Sequence, residues 1–536
     1  MPEPRRFYQT TAIDYPNSRP HIGTAFEKIG ADVQARYRRQ QGYDVHFLMG
    51  NDENTIKVVE RAEQLGVPPK RYVDDMARQF REVWQSLDIS FDDFIQTSGE
   101  RHRIGCQQFI QRVYDAGDIY KRNYESLYCE GCEEFKTESQ LTPERRCPNH
   151  PNRELKHVQE ENYFFRLSKY GPRLLELYEA RPDFVQPEGR RNEVVSLVRS
   201  GLEDVSISRR NFTWGIDIPW DAEHKIYVWF DALLNYITGV GYGSDEAMFD
   251  RWWPADVHFI GKDITRFHCA LWPAMLWSAG VELPKRVFAH GFVYIKNEAT
   301  DEVQKISKSL GNVIEPMDIV REFSSDAFRY YFMRECPFGG DGEFSFGRFA
   351  ASYNGDLANN LGNLFSRTVS MALRYFDGVL EGSRAIAPVD VFASVDLPAV
   401  VKSVASDIEA CRYASALETI WRQVLDTGNR YIEETRPWLL ANPGKPEHDL
   451  EACRRVLVNL VEAVRVAAIL LRPFMPRTAE KLYGGFSFSG PFEKQSLAQI
   501  VERPAESEDL RVTAELVDGK LPPMFPKIEP QRAAKN

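Results

Sequence analysis

The sequence predicts an α/β fold class: a doubly wound, Rossmann-like sheet of parallel strands, split by an inserted module and followed by an all-α bundle. Three observations predict it. Buried-strand and helix patterns alternate up to about residue 115. That alternation then breaks between Gly117 and His224 into short pieces rich in Cys, Pro and charge, and resumes at Lys225. Beyond Ser352 the apolar spacing is wholly helical. A chain of 536 residues also exceeds one ordinary core, so three or four domains are expected.

Taken in order, residues 7–13 read as a buried strand and 25–39 as a helix, with 45–49 and 55–65 repeating the pair. The break defines an insertion over 117–224. Strand character returns in Lys225-Ile-Tyr-Val-Trp-Phe and in Val257-His-Phe-Ile-Gly-Lys-Asp, so 225–290 reads as the second half of the split domain. Residues 1–116 are then its first half, and 291–351 a linking region. In 352–536, Leu417, Ile420, Trp421 and Val424 fall at i, i+3, i+4, i+7, and Leu457, Leu460, Val461, Val464 and Leu471 follow the same logic. Leu521-Pro-Pro-Met-Phe-Pro reads as a strap packed back on the body. Residues in both halves of the split domain meet at the carboxyl ends of the strands, where open α/β sheets bind ligands.

Composition narrows the class. Hydrophobic content of 43% and charged content of 27% are those of a globular protein, and no apolar run reaches transmembrane length. The segment from Met1 to Arg6 leads into a strand rather than a signal sequence. Cys269, Cys336, Cys411 and Cys453 sit singly in apolar patterns, as buried thiols do, and the cytoplasm is the consistent compartment. A net charge of −11 counts mildly against a nucleic-acid partner without excluding one, because phosphate contacts need only a local basic surface.

Three motifs carry chemistry. Pro20-His21-Ile22-Gly23-Thr24 stands at a strand-to-helix turn, where an imidazole can bond a phosphate and a glycine lets a base lie close. Lys305-Ile306-Ser307-Lys308-Ser309 puts two ammonium groups on a Ser-rich loop, able to meet charge developing on phosphates. Alone, the first is an ordinary helix start and the second a plain basic loop; their conjunction is the signal. Third, Cys129-Glu-Gly-Cys132 is followed by Cys147-Pro-Asn-His150. Two such chelating turns suit one tetrahedral zinc with a structural role. A disulfide or a redox pair explains the cysteines less well, and neither explains the histidine.

The first two motifs, in this order, resemble the HIGH and KMSKS signatures of class I aminoacyl-tRNA synthetases. Tyr15-Pro-Asn17, Asn51-Asp52-Glu53, Tyr227-Val-Trp229-Phe-Asp231-Ala232 and Gly261-Lys-Asp263-Ile264-Thr-Arg-Phe-His268 narrow the resemblance to the methionyl-tRNA synthetase family. It covers nearly the whole chain and includes a single zinc knuckle with a histidine ligand. It implies charging of tRNA(Met), initiator and elongator, with L-methionine through a methionyl-adenylate, releasing AMP and pyrophosphate. His21, Lys305 and Lys308 would act on the phosphates beside Mg2+, with Asn17 holding phosphate oxygens, Gly23 admitting adenine and Asp263 near the ribose. Asp52 would face the ammonium group of methionine. Tyr15, Trp229 and Tyr236 are suited to the thioether, since sulfur–aromatic contacts are worth ~0.3–1.5 kcal/mol each. Ile13, Ala232, Leu233, Ile264, His268 and Trp272 complete the pocket by resemblance.

The helical domain would read the anticodon with Asn359, Asn363 and Arg367, spaced four apart as on one helix face, and with Trp438 as a stacking platform. The chain stops short of the appended C-terminal domain through which some relatives dimerise, so a monomer is expected. Two departures stand out: Thr24 where the signature has a second histidine, and Asn54 where many relatives have one. The competing readings are an inactive tRNA-binding paralogue and another HIGH-type adenylate-forming ligase that uses no tRNA.

Overall fold

The computed structural model describes residues 4–129, 134–136, 141–148, 150–210, 212–298, 300–306, 313–381, 390–501 and 509–529. At its centre six strands form one sheet: β1 (Arg6–Thr11), β2 (Asp44–Asn51), β3 (Asp93–Gln96), β4 (Val185–Gln186), β5 (Val257–Gly261) and β6 (Val287–His290). The order is β3-β2-β1-β5-β6-β4, and every pairing is parallel. Successive side chains leave opposite faces. Phe7, Phe47, Phe94, Phe259 and Phe288 enter a core shared with the helical bundle. Tyr8, Leu48, Ile95, Ile260 and Ala289 enter a second core, shared with the insertion. The chain runs outward from β1 to β3 and then restarts at β5 on the other side. This reversal leaves a crevice past the carboxyl ends of β1 and β5.

Into that crevice opens α1 (Ile22–Gln40), buried along nearly its whole length. Its far end is fixed to the bundle. Arg329, fully buried, donates to the carbonyls of Phe474 (2.8 Å), Pro473 (3.0 Å) and Leu87 (3.2 Å) and pairs with Asp32 of α1 at 2.7 Å. Burial alone would raise the Asp32 carboxyl, but Arg36, Arg329 and Ser90 together bring it down to about 2. Tyr413 donates to the Gly30 carbonyl at 2.7 Å and Gln40 to that of Ile469 at 2.8 Å.

The segment 117–224 builds a four-stranded antiparallel sheet in the order Glu134–Lys136, Ile119–Cys129, Lys156–Phe165, Val205–Ser206. It is not wholly separate, because its β4 returns to the edge of the central sheet beside β6. The strand expected at 225–230 differs. Asp221–Ile226 belongs to a small antiparallel sheet, and Val228–Leu233 is helical, closed by the Phe230 and Asp231 amides bonding the Tyr227 carbonyl at 2.9 and 3.1 Å. Aromatic and β-branched composition suggested a strand; local turn bonds and the stacking of Trp229 on Phe267 override it. Residues 291–351 hold a three-stranded sheet, Val303–Lys305, Val293–Lys296 and Gly342–Phe344, whose first strand ends at Lys305.

Beyond it lies the helical bundle, centred on Leu450–Leu471, where Leu457, Leu460, Val461 and Val464 are buried as their spacing requires. The strap packs back as expected: Phe525 meets Tyr353 edge-on, and Ile528 exchanges two hydrogen bonds with the Asn354 side chain. No helix among the described residues is long and apolar enough to cross a membrane.

Candidate active site

The crevice is a cavity of about 370 Å³ whose walls come from both halves of the split domain. Ile13, Tyr15, Asp52, Trp229, Ala232, Leu233, Tyr236, Ile264 and His268 line it together with His21, Gly23, Thr24, Asp263 and Lys305. Asn17 is half-buried nearby but is not a lining residue. Lys308, with Ser307 and Ser309, lies outside the described residues.

His21 is the N-cap of α1. Its Nδ1 accepts from the amides of Gly23 (3.1 Å) and Thr24 (3.3 Å), which places the ring proton on Nε2 as a donor. A histidine thus does what Ser or Asp usually does at a helix start. The cap also explains Gly23: a Cβ there would lie 3.1 Å from the His21 ring and 3.5 Å from Ile306. Thr24, the departure from the signature, sets its hydroxyl 3.5 Å from His21 Nε2.

Asp52 is 3% exposed, and its amide bonds the Asp14 carbonyl at 2.9 Å, tying the loop after β2 to that after β1. Tyr15 meets Trp229 edge-on at 6.3 Å, and Trp229 lies flat on Phe267 at 3.9 Å. Tyr236, 1% exposed, directs its hydroxyl to His268 Nε2 at 2.7 Å, while His268 Nδ1 faces the Ile264 carbonyl at 3.0 Å. Nδ1 therefore donates and Nε2 accepts. Burial brings His268 down to about 4, so the ring is neutral at physiological pH. Trp272, expected in this wall, stands one layer back: it is fully buried, packs edge-on against Tyr236 at 6.1 Å and donates to His258 at 3.3 Å.

Sequence reasoning missed the charged floor. Lys28, buried in α1, donates to Ala12 O (2.8 Å), Asp14 (3.1 Å) and Glu27 (2.6 Å), and Glu27 reaches His290 at 2.8 Å. Asp14, Glu27 and His290 all line the cavity. Burial raises Asp14 to about 6 against the pull of Lys28. Glu27 is held below its ordinary value, because Lys28 and His290 outweigh its burial. A buried lysine inside a helical pattern gives no sequence signal.

Outside the cavity, Cys129 and Cys147 place their sulfurs 3.8 and 4.0 Å from His150 Nδ1. Donors sharing a tetrahedral zinc at ~2.0–2.3 Å stand ~3.6 Å apart, so the three fit one ion. Burial, reinforced by Lys57, lowers the His150 pKa and favours the neutral, ligating imidazole. Cys132 lies outside the described residues.

In the helical domain, Arg367 and Trp438 line one shallow depression of about 320 Å³ with Ser366, Ser370, Met371 and Tyr375. The guanidinium sits 5.5 Å over the indole and bonds Glu433. Asn363 donates to Asn429 at 3.4 Å. Asn359 comes just before the helix Gly362–Phe376 that carries Asn363 and Arg367. It lies in the π-helical stretch Tyr353–Leu361.

A family model described as tRNA synthetases class I (M) matches residues 7–158 and 150–369, and one described as the anticodon-binding domain of tRNA ligase matches 395–518. The methionine–tRNA ligase of Caldanaerobacter subterraneus subsp. tengcongensis is 45% identical over 89% of this chain and 73% of its own length. That of Thermotoga maritima is 44% identical over 92% and 77%. The solved Mycobacterium tuberculosis methionyl-tRNA synthetase in complex with methionyl-adenylate superposes with a TM-score of 0.87 at 39% identity, covering 96% of this chain and 99% of that one. This chain therefore belongs to the methionyl-tRNA synthetases, the methionine–tRNA ligases of class I.

Proposed function

We propose that this cavity joins L-methionine to ATP as methionyl-adenylate, and that the chain then passes the methionyl group to tRNA(Met), both initiator and elongator. The observation that carries the reading is one cavity lined by His21 and Lys305 as well as by Asp52, Tyr15, Trp229 and Tyr236. The methionine carboxylate attacks the α-phosphorus, the bond to the β-phosphate bridging oxygen breaks, and pyrophosphate leaves. The substrate is its own nucleophile, so the protein's task is positioning and charge stabilisation. The ammonium group faces Asp52, and the thioether lies among Tyr15, Trp229, Tyr236 and His268. His21 Nε2–H, Lys305 and Lys308 meet the phosphate oxygens, Asn17 assists them, and Asp263, exposed just past β5, bonds the ribose. Mg2+ enters with ATP as its counter-ion. The terminal adenosine hydroxyl of the tRNA then attacks the adenylate carbonyl and AMP leaves.

Cys129, Cys132, Cys147 and His150 would hold one Zn2+, which cross-links the insertion. Arg367 and Trp438 would form the base-stacking end of an anticodon surface, with Asn363 and Asn359 beside it on the same helical segment. We place the protein in the cytoplasm as a monomer. The boundaries at 116, 224, 290 and 351 mark its functional units. Methionine-dependent ATP–pyrophosphate exchange tests the reading. Exchange with methionine alone among the amino acids supports it, whereas no exchange supports the inactive tRNA-binding paralogue. Exchange without tRNA charging supports a tRNA-independent ligase.

A further inference from the structure

Behind the methionine end of the cavity lies a buried polar cluster that the mechanism does not use. Asp231, fully buried, is the residue before Ala232 and two after Trp229. Asn54, 6% exposed and two residues after Asp52, donates its amide to Asp231 Oδ2 at 2.7 Å and to the Thr97 carbonyl at 3.1 Å. The other carboxylate oxygen lies 2.7 Å from His102 Nε2, and His102 Nδ1 lies 2.7 Å from the Thr238 hydroxyl. A carboxylate only accepts, so Nε2 carries the imidazole proton and Nδ1 accepts from Thr238. Around them, the Glu53 amide bonds the Thr97 hydroxyl at 2.8 Å and the Trp214 indole bonds the Glu53 carbonyl at 2.8 Å. His102, Cys106 and Asp231 bring their ligand atoms within 4.8 Å of one another, as a metal site would. Hydrogen bonds already occupy both imidazole nitrogens and both carboxylate oxygens, so a polar latch describes the cluster better than an ion site.

The latch joins two walls that come from distant parts of the sequence. The loop after β2 carries Asp52, and the helix Val228–Leu233 carries Trp229, Ala232 and Leu233. Asp231 is bonded to the first wall through Asn54 and braced from behind by His102, a residue of the helix Glu100–Asp115. We propose that Asn54, His102 and Asp231 are positioning residues that fix the span between the ammonium-binding carboxylate and the thioether walls, and so set the length of side chain the cavity accepts. On this account Asn54 is a working neutral donor to a buried carboxylate, and the departure it represents is compatible with turnover. The inference rests on the assignment of Asp52 and Trp229 to the methionine pocket. One methylene more or less in such an apolar pocket is worth roughly ten- to two-hundredfold in selection.

The test is steady-state pyrophosphate exchange with purified Asn54→Ala, Asp231→Ala, the double variant and Asp52→Ala, with methionine and ATP varied separately and norleucine and ethionine as competitors. In Asn54→Ala and in Asp231→Ala the KM for methionine should rise roughly ten- to a hundredfold, with the KM for ATP unchanged and discrimination against ethionine reduced. The double variant should be no worse than the worse single variant, because both substitutions open one latch. Additive losses, or losses confined to kcat or to the KM for ATP, would overturn the proposal. Should Asn54→Ala not fold, Asn54→Ser, whose hydroxyl is too short to reach Asp231, carries the same comparison. Asp52→Ala separates the two levels. If it binds methionine normally, the pocket assignment itself fails; if it fails to bind while Asn54→Ala is normal, only the latch fails.

Discussion

Replacing Lys28 by Met keeps the length and bulk of the side chain and removes one charge from the floor of the cavity. Three contacts are lost, to Ala12 O at 2.8 Å, Asp14 at 3.1 Å and Glu27 at 2.6 Å, from an ammonium group whose side chain is 1% exposed. Asp14 and Glu27 both lose the ammonium group, but Glu27 keeps His290 at 2.8 Å. Removing one partner of a buried pair typically costs ~3–5 kcal/mol, because the other charge stays behind. The pH dependence carries the signature. Asp14 already titrates near 6 in the folded chain, above its unfolded value, so its contribution to stability is full in acid and is lost as pH rises through about 6. Without Lys28 that titration moves higher, and the variant's deficit should be greatest above pH ~7 and shrink towards pH ~5.5 as Asp14 takes up a proton. Thermal unfolding of both proteins at these two pH values reads this directly. A deficit of roughly three to five degrees is expected at the higher pH, narrowing at the lower, because the unfolding entropy of a chain of 536 residues is large. A deficit of the same size at both would refute the reasoning, since only lost packing, not a stranded carboxylate, is indifferent to pH.

Four further outcomes are expected. Purified protein should carry one zinc per chain by metal analysis, and Cys147→Ser should lower that content. Lys308→Ala should slow adenylate formation in single-turnover experiments far more than it weakens methionine binding, because phosphate-facing donors of this kind are worth ~3–4 kcal/mol in the transition state; a change confined to the methionine KM would contradict the assignment. Asp52→Ala should impair methionine recognition by ~2–5 kcal/mol in exchange kinetics, as a buried charge contact loses one partner. Trp438→Ala should reduce tRNA aminoacylation roughly ten- to a hundredfold, in line with ~1–3 kcal/mol of base stacking, and leave pyrophosphate exchange near wild type.

The parallel strands, α1 and the helical bundle were legible because their apolar periods are local and uninterrupted. The pocket residues from Tyr15 to His268 were placed by resemblance to the segments of a known family, not by periodicity. Other features depend on packing and leave no such trace. The turn at Val228–Leu233 reads as a strand because aromatic and β-branched residues favour both, and its hydrogen bonds are set by Tyr227 and the stack of Trp229 on Phe267. Trp272 and Tyr236 are indistinguishable by type, yet one is behind the wall and the other forms it. Lys28, Glu27 and His290 form a network between a helix and a strand 263 residues apart, which a single sequence does not announce. Asn54 was legible only as a departure, and its partners Asp231 and His102 give it a physical role.

The central claim is that one cavity orients methionine between Asp52 and the aromatic walls while its carboxyl end meets ATP at His21. A crystal structure with the sulfamoyl analogue of methionyl-adenylate tests this most directly. The account predicts the ammonium nitrogen within about 3 Å of the Asp52 carboxylate, the thioether among Tyr15, Trp229, Tyr236 and His268, and the sulfamoyl oxygens facing His21 Nε2. An analogue seated in this crevice with its ammonium away from Asp52, or bound outside it, would contradict the account.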